Sequence, residues 1–135
     1  MKKGLLLLLA LLLVGCNNGK TAYFTTNDDD MYKTQRQDLE QIIKNDPHIK
    51  KVTALFTKDA ALIGIEVKPL SKWKKKKYEK EWQKKMEKAL PEQTVLVSTD
   101  LKIIWEAEKL AKKKLDDEKL KKEITKLKDL SKEET

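Results

Sequence analysis

Cys16 and His48 are the only cysteine and the only histidine in this chain of 135 residues. A thiolate is a strong nucleophile and metal ligand, and an imidazole exchanges protons readily near neutral pH. With a single histidine, a His-based catalytic triad has no second candidate and a His-rich metal site is excluded. Because His48 stands alone in a turn that leads towards a strand, we expect it to have a capping or solvent-facing role.

Three consecutive carboxylates, at residues 28–30, are the other feature that suggests metal binding. Calcium loops space their ligands at alternate positions and place a glycine at the turn, and this run has neither property. The four glycines, at positions 4, 15, 19 and 64, form no phosphate-binding loop. We therefore predict a solvated acidic segment, a protein that is not an enzyme, and no metal or cofactor.

The surroundings of Cys16 assign its thiol a different chemistry. Two lysines precede a ten-residue apolar run, 5–14, which is the layout of an export signal and is shorter than the roughly 20 residues of a membrane-spanning helix. The run ends in LVGC, which resembles the lipobox of bacterial lipoproteins. This resemblance implies cleavage before Cys16, a diacylglycerol thioether on its sulfur and N-acylation, for example with palmitate. We expect residues 1–15 to be removed and Cys16 to anchor the chain on the outer, extracytoplasmic face of the cell membrane.

The remaining 120 residues are enough for one small domain with an excess of positive charge. The formal charge falls from +8 to +6 when the two signal-peptide lysines are removed. Residues 48–91 contain thirteen basic and five acidic side chains, so the excess lies in the middle of the chain. With its one thiol consumed in the thioether, the domain has no disulfide and must be held together by its apolar core.

Hydrophobic periodicity predicts an α+β domain over residues 30–115, after a polar lipidated tether at 16–29. The predicted order is α-β-β-α-β-α. Such an order suggests a three-stranded sheet with helices packed on one face, and a right-handed crossover that makes the second and third strands parallel. The strands are expected near residues 52–57, 61–67 and 94–99, and the helices in 30–45, 71–90 and from Asp100 onward.

The last helix changes its apolar face along its length. One face is shared by Leu101, Ile104, Ala107, Ala111 and Leu115, and a second face, about 150° away, by Leu120, Ile124 and Leu127. One straight helix cannot dock both halves on the same surface. We therefore predict a break at 116–118, and expect residues 116–135 to form a charged amphipathic helical tail that is loosely packed or binds a partner.

Nine lysines lie between residues 72 and 88, in the second predicted helix. On a membrane-anchored domain they would attract anionic lipid, at about 1 kcal/mol per residue near the surface, or an acidic wall polymer. A solvated helix face is the simpler alternative. Trp73 lies off the Tyr78–Trp82 stripe, and we expect it to be exposed among the lysines, as interfacial aromatic residues are. Nucleic acid is not an expected partner, because aromatic residues do not alternate with these charges on a strand. The residues expected to contact an anionic surface are Lys72, Trp73, Lys74, Lys75, Lys76, Lys77, Lys80 and Lys84.

Besides the signal, three stretches of residues 38–110 are distinctive: KKVTALFTKDAALIGIEVK, a lysine-rich helix ending in KALP, and TVLVSTD leading into the last helix. Together they resemble the sporulation lipoproteins of endospore-forming bacteria, of the YhcN/YlaJ type. The resemblance implies a non-enzymatic lipoprotein on a spore or forespore membrane. It also implies a binding or scaffolding role linked to spore germination, with an unknown spore protein as partner. The alternative function is a lipid-anchored module, unrelated to sporulation, whose lysine-rich helix engages anionic lipid or cell-wall polymer.

Overall fold

The computed structural model describes residues 23–26 and 31–133. The predicted α+β class and element order are confirmed, with one further strand before the domain and one further helix after it. The elements are β1 (Tyr23–Thr26), α1 (Lys33–Lys44), β2 (Ile49–Phe56), β3 (Ala60–Val67), a 3₁₀ helix (Pro69–Lys74), α2 (Lys75–Ala89), β4 (Thr94–Ser98), α3 (Leu101–Lys113) and α4 (Asp117–Glu133).

The sheet has the strand order β1-β2-β3-β4. β2 and β3 form an antiparallel hairpin, and β4 lies parallel to β3 after the crossover through α2, as predicted for these two strands. The prediction of three strands is incomplete, because β1 pairs in parallel with β2 at the edge. Tyr23–Thr26 belongs to the segment predicted as a tether. A four-residue strand is too short to show a clear period, and its pairing satisfies backbone groups that β2 would otherwise expose.

Residues on one face of the sheet form a core with α1 and α2. Alternate residues of β2 and β3, such as Val52 and Ile63, point to this side. Their partners include Leu39 of α1 together with Trp82 and Met86 of α2, all fully buried. The apolar stripe predicted for the lysine-rich helix therefore covers this face.

The opposite face is also covered, so the prediction of helices on one face is wrong. Leu55 of β2 and Leu62 of β3 are fully buried against α3 and α4. Gly64 of β3 allows α3 to approach closely, because a Cβ at this position would lie 3.0 Å from Ile104 Cγ1. Central strands with apolar residues on both sides must be covered on both sides, which gives three layers: helices, sheet, helices.

The chain after Leu115 is part of the same domain, so the prediction of a loosely packed tail is wrong. The break falls close to where it was expected: Lys114 adopts left-handed backbone angles, with φ 51° and ψ 52°, and α4 begins three residues later. This reversal turns the second apolar stripe back towards the sheet. Leu120, Ile124 and Leu127 are buried there as a result.

Polar contacts hold α4 against the end of the sheet that carries the β2–β3 turn. Asp117 Oδ2 accepts hydrogen bonds from the Tyr32 hydroxyl at 2.5 Å and from Lys58 N–H at 3.1 Å. Lys121 Nζ lies 2.9 Å from Asp59 Oδ2, and its hydrogen bond and charge hold the pKa of Asp59 below the ordinary value. A lowered carboxyl pKa means that this contact stabilises the fold at neutral pH and is lost as the pH falls through the folded-state pKa.

Candidate surface-binding site

Trp73 is exposed at the start of the lysine-rich segment, which confirms the prediction for this residue. Its side chain is 80% exposed, and Leu70 in the same 3₁₀ helix is 91% exposed. The indole is held in place: Trp73 Nε1 donates to Leu70 O at 3.2 Å, and Lys74 Nζ lies 4.7 Å from the ring centroid. The ring is therefore presented to solvent in a fixed orientation beside a cation.

His48 fastens this 3₁₀ helix to the start of β2. Its Nδ1 lies 2.9 Å from the Oγ of Ser71, which is buried. Its ring stacks on Tyr78 of α2, with the centroids 4.2 Å apart. His48 is half-buried rather than solvent-facing, and the contacts indicate that it positions the segment that carries Trp73.

Asp46, His48 and Ser71 lie near one another but do not have the geometry of a catalytic triad. Asp46 Oδ1 accepts the backbone N–H of His48 at 2.9 Å, and Asp46 Oδ2 accepts Trp82 Nε1 at 2.6 Å. A triad carboxylate must instead bind the imidazole nitrogen opposite the one that faces the serine. This arrangement fixes a turn and buries an indole, which are structural roles.

The structure divides the predicted lysines into two groups. Residues 68–77 contain six lysines and no acidic residue, and they surround Trp73. Lys76, Lys80 and Lys84 follow one another at intervals of one helical turn and line a groove of about 620 Å³ beside β4. Glu79 lies in the same groove, 3.7 Å from Lys76 Nζ. The groove therefore combines lysines with acidic residues, whereas the charged residues of 68–77 are all lysines.

Side chains of α2 close the outer edge of β4 within this groove. Gln83 Oε1 accepts the N–H of Val97 at 2.7 Å, and Gln83 Nε2 donates to Val95 O at 2.8 Å. Glu79 Oε1 accepts the N–H of Thr99 at 2.8 Å. The Gln83 carboxamide thus replaces the backbone of a neighbouring strand, which protects an edge that would otherwise pair with another chain.

We expect Gln83→Leu to destabilise the fold and to promote self-association. The substitution leaves Val97 N–H and Val95 C=O without their partner, at a cost of about 1–3 kcal/mol. The free energy of unfolding from urea titration and the elution volume at increasing concentration measure the two effects. Lys80→Leu, an exposed position on the same helix, is the matched control. Equal behaviour of the two variants would contradict this role for Gln83.

Two further exposed apolar side chains, Leu101 and Trp105, lie on α3 and were not predicted. Leu101 was assigned to the core face, but it is 42% exposed and Trp105 is 58% exposed. The buried residues of α3 are Ile103, Ile104, Ala107 and Leu110. Consecutive members of this set are one, three and three residues apart, which is the spacing of one helix face. The sequence therefore already indicated that Leu101 and Trp105 lie on the exposed face.

Cys16 and the acidic run at 28–30 lie outside the described residues. Within 23–26 and 31–133, no helix combines the length and apolar character needed to cross a bilayer. The same residues contain no cluster of three or more His, Cys, Asp or Glu side chains arranged to hold a metal ion.

No protein-family model, curated protein or solved structure matches this chain.

Proposed function

We propose that the protein is a non-enzymatic lipoprotein, anchored through Cys16 on the outer face of a bacterial membrane, where it binds or scaffolds other components. The proposal of an anchor rests on the lipobox-like LVGC at residues 13–16 and on the preceding export signal. Two or three acyl chains attach a protein durably, whereas a single chain does so only marginally.

LVGC carries the proposal of an anchor, and the position of β1 supports a role close to the membrane. Cys16 and Tyr23 are seven residues apart, and a fully extended chain covers at most about 25 Å over that separation. Because β1 is hydrogen-bonded into the sheet, a lipidated Cys16 would hold the domain within this distance of the bilayer. A short tether suits a protein whose partner is at or in the membrane.

The proposed link to sporulation rests on the resemblance of residues 38–110 to the YhcN/YlaJ type. That resemblance implies a protein on a spore or forespore membrane, with a role in germination through a spore protein partner. Germination kinetics test it in spores that lack the protein and in spores that carry Cys16→Ala. We expect delayed germination in both, and normal kinetics in both would exclude this assignment.

We expect Cys16→Ala to abolish lipid attachment. The full chain should incorporate radiolabelled palmitate in a bacterial host, and the variant should incorporate none because it lacks the acceptor thiol. Asn18→Ala, which keeps the thiol, is the control and should be labelled as the parent chain is. Persistent labelling of the Cys16→Ala chain would show that another group is acylated.

A second candidate function is a surface-binding module unrelated to sporulation. The exposed Trp73, fixed among the lysines of residues 68–77, favours it. Anionic lipid and anionic wall polymer both match this chemistry. The two candidates differ in the spore experiment, because this module would act in growing cells and leave germination unchanged.

A further inference from the structure

The strand directions bring several chain segments to one end of the sheet. β3 and β4 are parallel, β1 and β2 are parallel, and β2 and β3 are antiparallel. The carboxyl ends of β3 and β4 therefore lie at the same end of the sheet as the amino ends of β1 and β2. We call this the anchor end, because the segment that leads from Cys16 reaches the fold there, at Tyr23.

The segments directly after β3 and β4, the two strands that end towards the anchor end, carry four exposed apolar side chains. The 3₁₀ helix directly after β3 carries Leu70 and Trp73, and α3 directly after β4 carries Leu101 and Trp105 one turn apart. The amino ends of α2 and α3 are close together, since Lys76 and Asp100 line the same groove. Two aromatic and aliphatic pairs thus lie at or near the end of the domain at which the anchor is attached.

The charge next to the first pair, at the anchor end, matches an anionic surface. Six lysines in residues 68–77 flank the first pair along the chain, without an acidic residue among them. Tryptophan beside lysine is the combination found where proteins meet the headgroup region, because the indole has an apolar body and a polar N–H. Large exposed apolar side chains beside a basic cluster are typical of an interaction surface.

We propose that the anchor end docks on an anionic phospholipid bilayer, with Leu70, Trp73, Leu101 and Trp105 in the headgroup region and the lysines against the phosphates. The inference rests on the proposed function for the anchor at Cys16, which keeps the surface at a high effective concentration near the bilayer. The orientation leaves the opposite end of the sheet, with the β2–β3 turn, facing away from the membrane.

The three tryptophans allow docking to be measured with an internal control. The full-length lipoprotein is reconstituted into phosphatidylglycerol vesicles whose acyl chains carry bromine, which quenches tryptophan only at short range. Trp82 is 1% exposed in the core, so Trp73→Phe/Trp105→Phe leaves only a buried reporter. We expect the emission of the parent chain to fall about twofold on anionic brominated lipid, with little change for the double variant. Equal quenching of both chains, or of neither, overturns the inference.

Charge reversal tests the contribution of the lysines. Lys72→Glu/Lys75→Glu/Lys77→Glu is expected to abolish the quenching, and neutral phosphatidylcholine vesicles should give the same loss with the parent chain. The matched control changes the same charge near the other end of the sheet: Lys113→Glu/Lys119→Glu/Lys122→Glu, all at exposed positions. Strong quenching on neutral lipid, or equal losses in the two triple variants, overturns the electrostatic part of the inference.

The anchor and the docking surface can fail separately. A parent chain that sediments with anionic vesicles but shows no quenching leaves the anchor in place and overturns docking. The full-length Cys16→Ala chain, added to preformed vesicles at higher concentration, should still be quenched on anionic lipid alone. Quenching of this chain supports docking even if Cys16 carries no lipid. Binding to isolated anionic wall polymer, without quenching on vesicles, would assign the surface to that polymer instead.

Discussion

Removal of residues 116–135 is expected to abolish cooperative folding. The deletion removes Leu120, Ile124 and Leu127 and uncovers Leu55 and Leu62 on the sheet. Loss of one such aliphatic side chain costs about 2–5 kcal/mol, so the loss of three is comparable with the roughly 5–15 kcal/mol by which a typical domain is stable. A thermal transition followed by circular dichroism measures the effect, and a truncated chain with an unchanged transition would mean that α4 is dispensable.

Two point variants cover the case in which the truncated chain cannot be purified. Ile124→Ala is expected to lower the free energy of unfolding by about 2–5 kcal/mol. Lys122→Ala lies on the exposed side of the same helix and is expected to change it by less than about 0.5 kcal/mol. Similar small effects of both substitutions would indicate that the helix contributes little to the fold.

Trp82→Ala is expected to destabilise the domain by about 3–5 kcal/mol, which is among the largest effects of a single substitution. Trp82 lies on α2 and is buried against the sheet. The centroid of its ring is 5.7 Å from the centroid of the Tyr78 ring. Its Nε1 also provides the hydrogen bond to Asp46 Oδ2. The substitution therefore creates a cavity and removes a donor from a partly buried carboxylate. Urea titration of the free energy of unfolding measures the loss.

Trp82→Phe separates the cavity from the lost hydrogen bond, because it keeps most of the apolar volume and removes the indole donor. We expect it to cost about 1–3 kcal/mol. Trp105→Ala is the matched control for loss of a tryptophan, and because Trp105 is largely exposed it should have little effect on stability. A Trp82→Ala chain as stable as the Trp105→Ala chain would contradict the packing described for α2.

Local patterns predicted the elements well because each pattern reflects one side chain's immediate environment. In the sequence, Val52, Ala54 and Phe56 alternate with Thr53 and Leu55. In β2 the first three lie in the core on one face of the sheet, and Leu55 lies in the core on the other face. The spacing of Tyr78, Trp82 and Met86 gave the apolar stripe of α2, and Pro91 lies just beyond its end. Such periodicities do not depend on which element is the partner.

The surface that an apolar stripe covers depends on residues far away in the sequence. The wrong predictions, helices on one face and a loosely packed tail, both concerned this choice of surface. Leu55 and Leu62 are apolar residues on the sheet face opposite Val52, a pattern that already indicated a second covering layer. A break near residue 116 was predicted, but the direction in which α4 turns after the break was not. Left-handed angles at Lys114 set that direction, and lysine is not a residue type that marks such a turn in advance.

The candidate surface was predicted only in part for the same reason. The exposure of Trp73 was predicted because this residue lies off the apolar stripe of the predicted lysine-rich helix. Leu101 and Trp105 are more than 25 residues further along the chain, and only the parallel pairing of β3 with β4 brings the segments that follow these strands to one end. The closure of the β4 edge by Gln83 likewise depends on how α2 crosses the sheet.

The sequence by itself predicted an export signal with a candidate lipidation site, and it determined the α+β class, the order of the elements and the concentration of lysines in residues 72–88, since these depend on composition and on short-range period. Only the tertiary structure decided that helices cover both faces of the sheet, that α4 belongs to the core and that β1 adds an edge strand. It also decided that two exposed pairs, each of one aliphatic and one aromatic residue, lie at or near the end of the sheet that receives the N-terminal chain. Strand direction and turn geometry set these features, and both are fixed by contacts between residues far apart in the sequence.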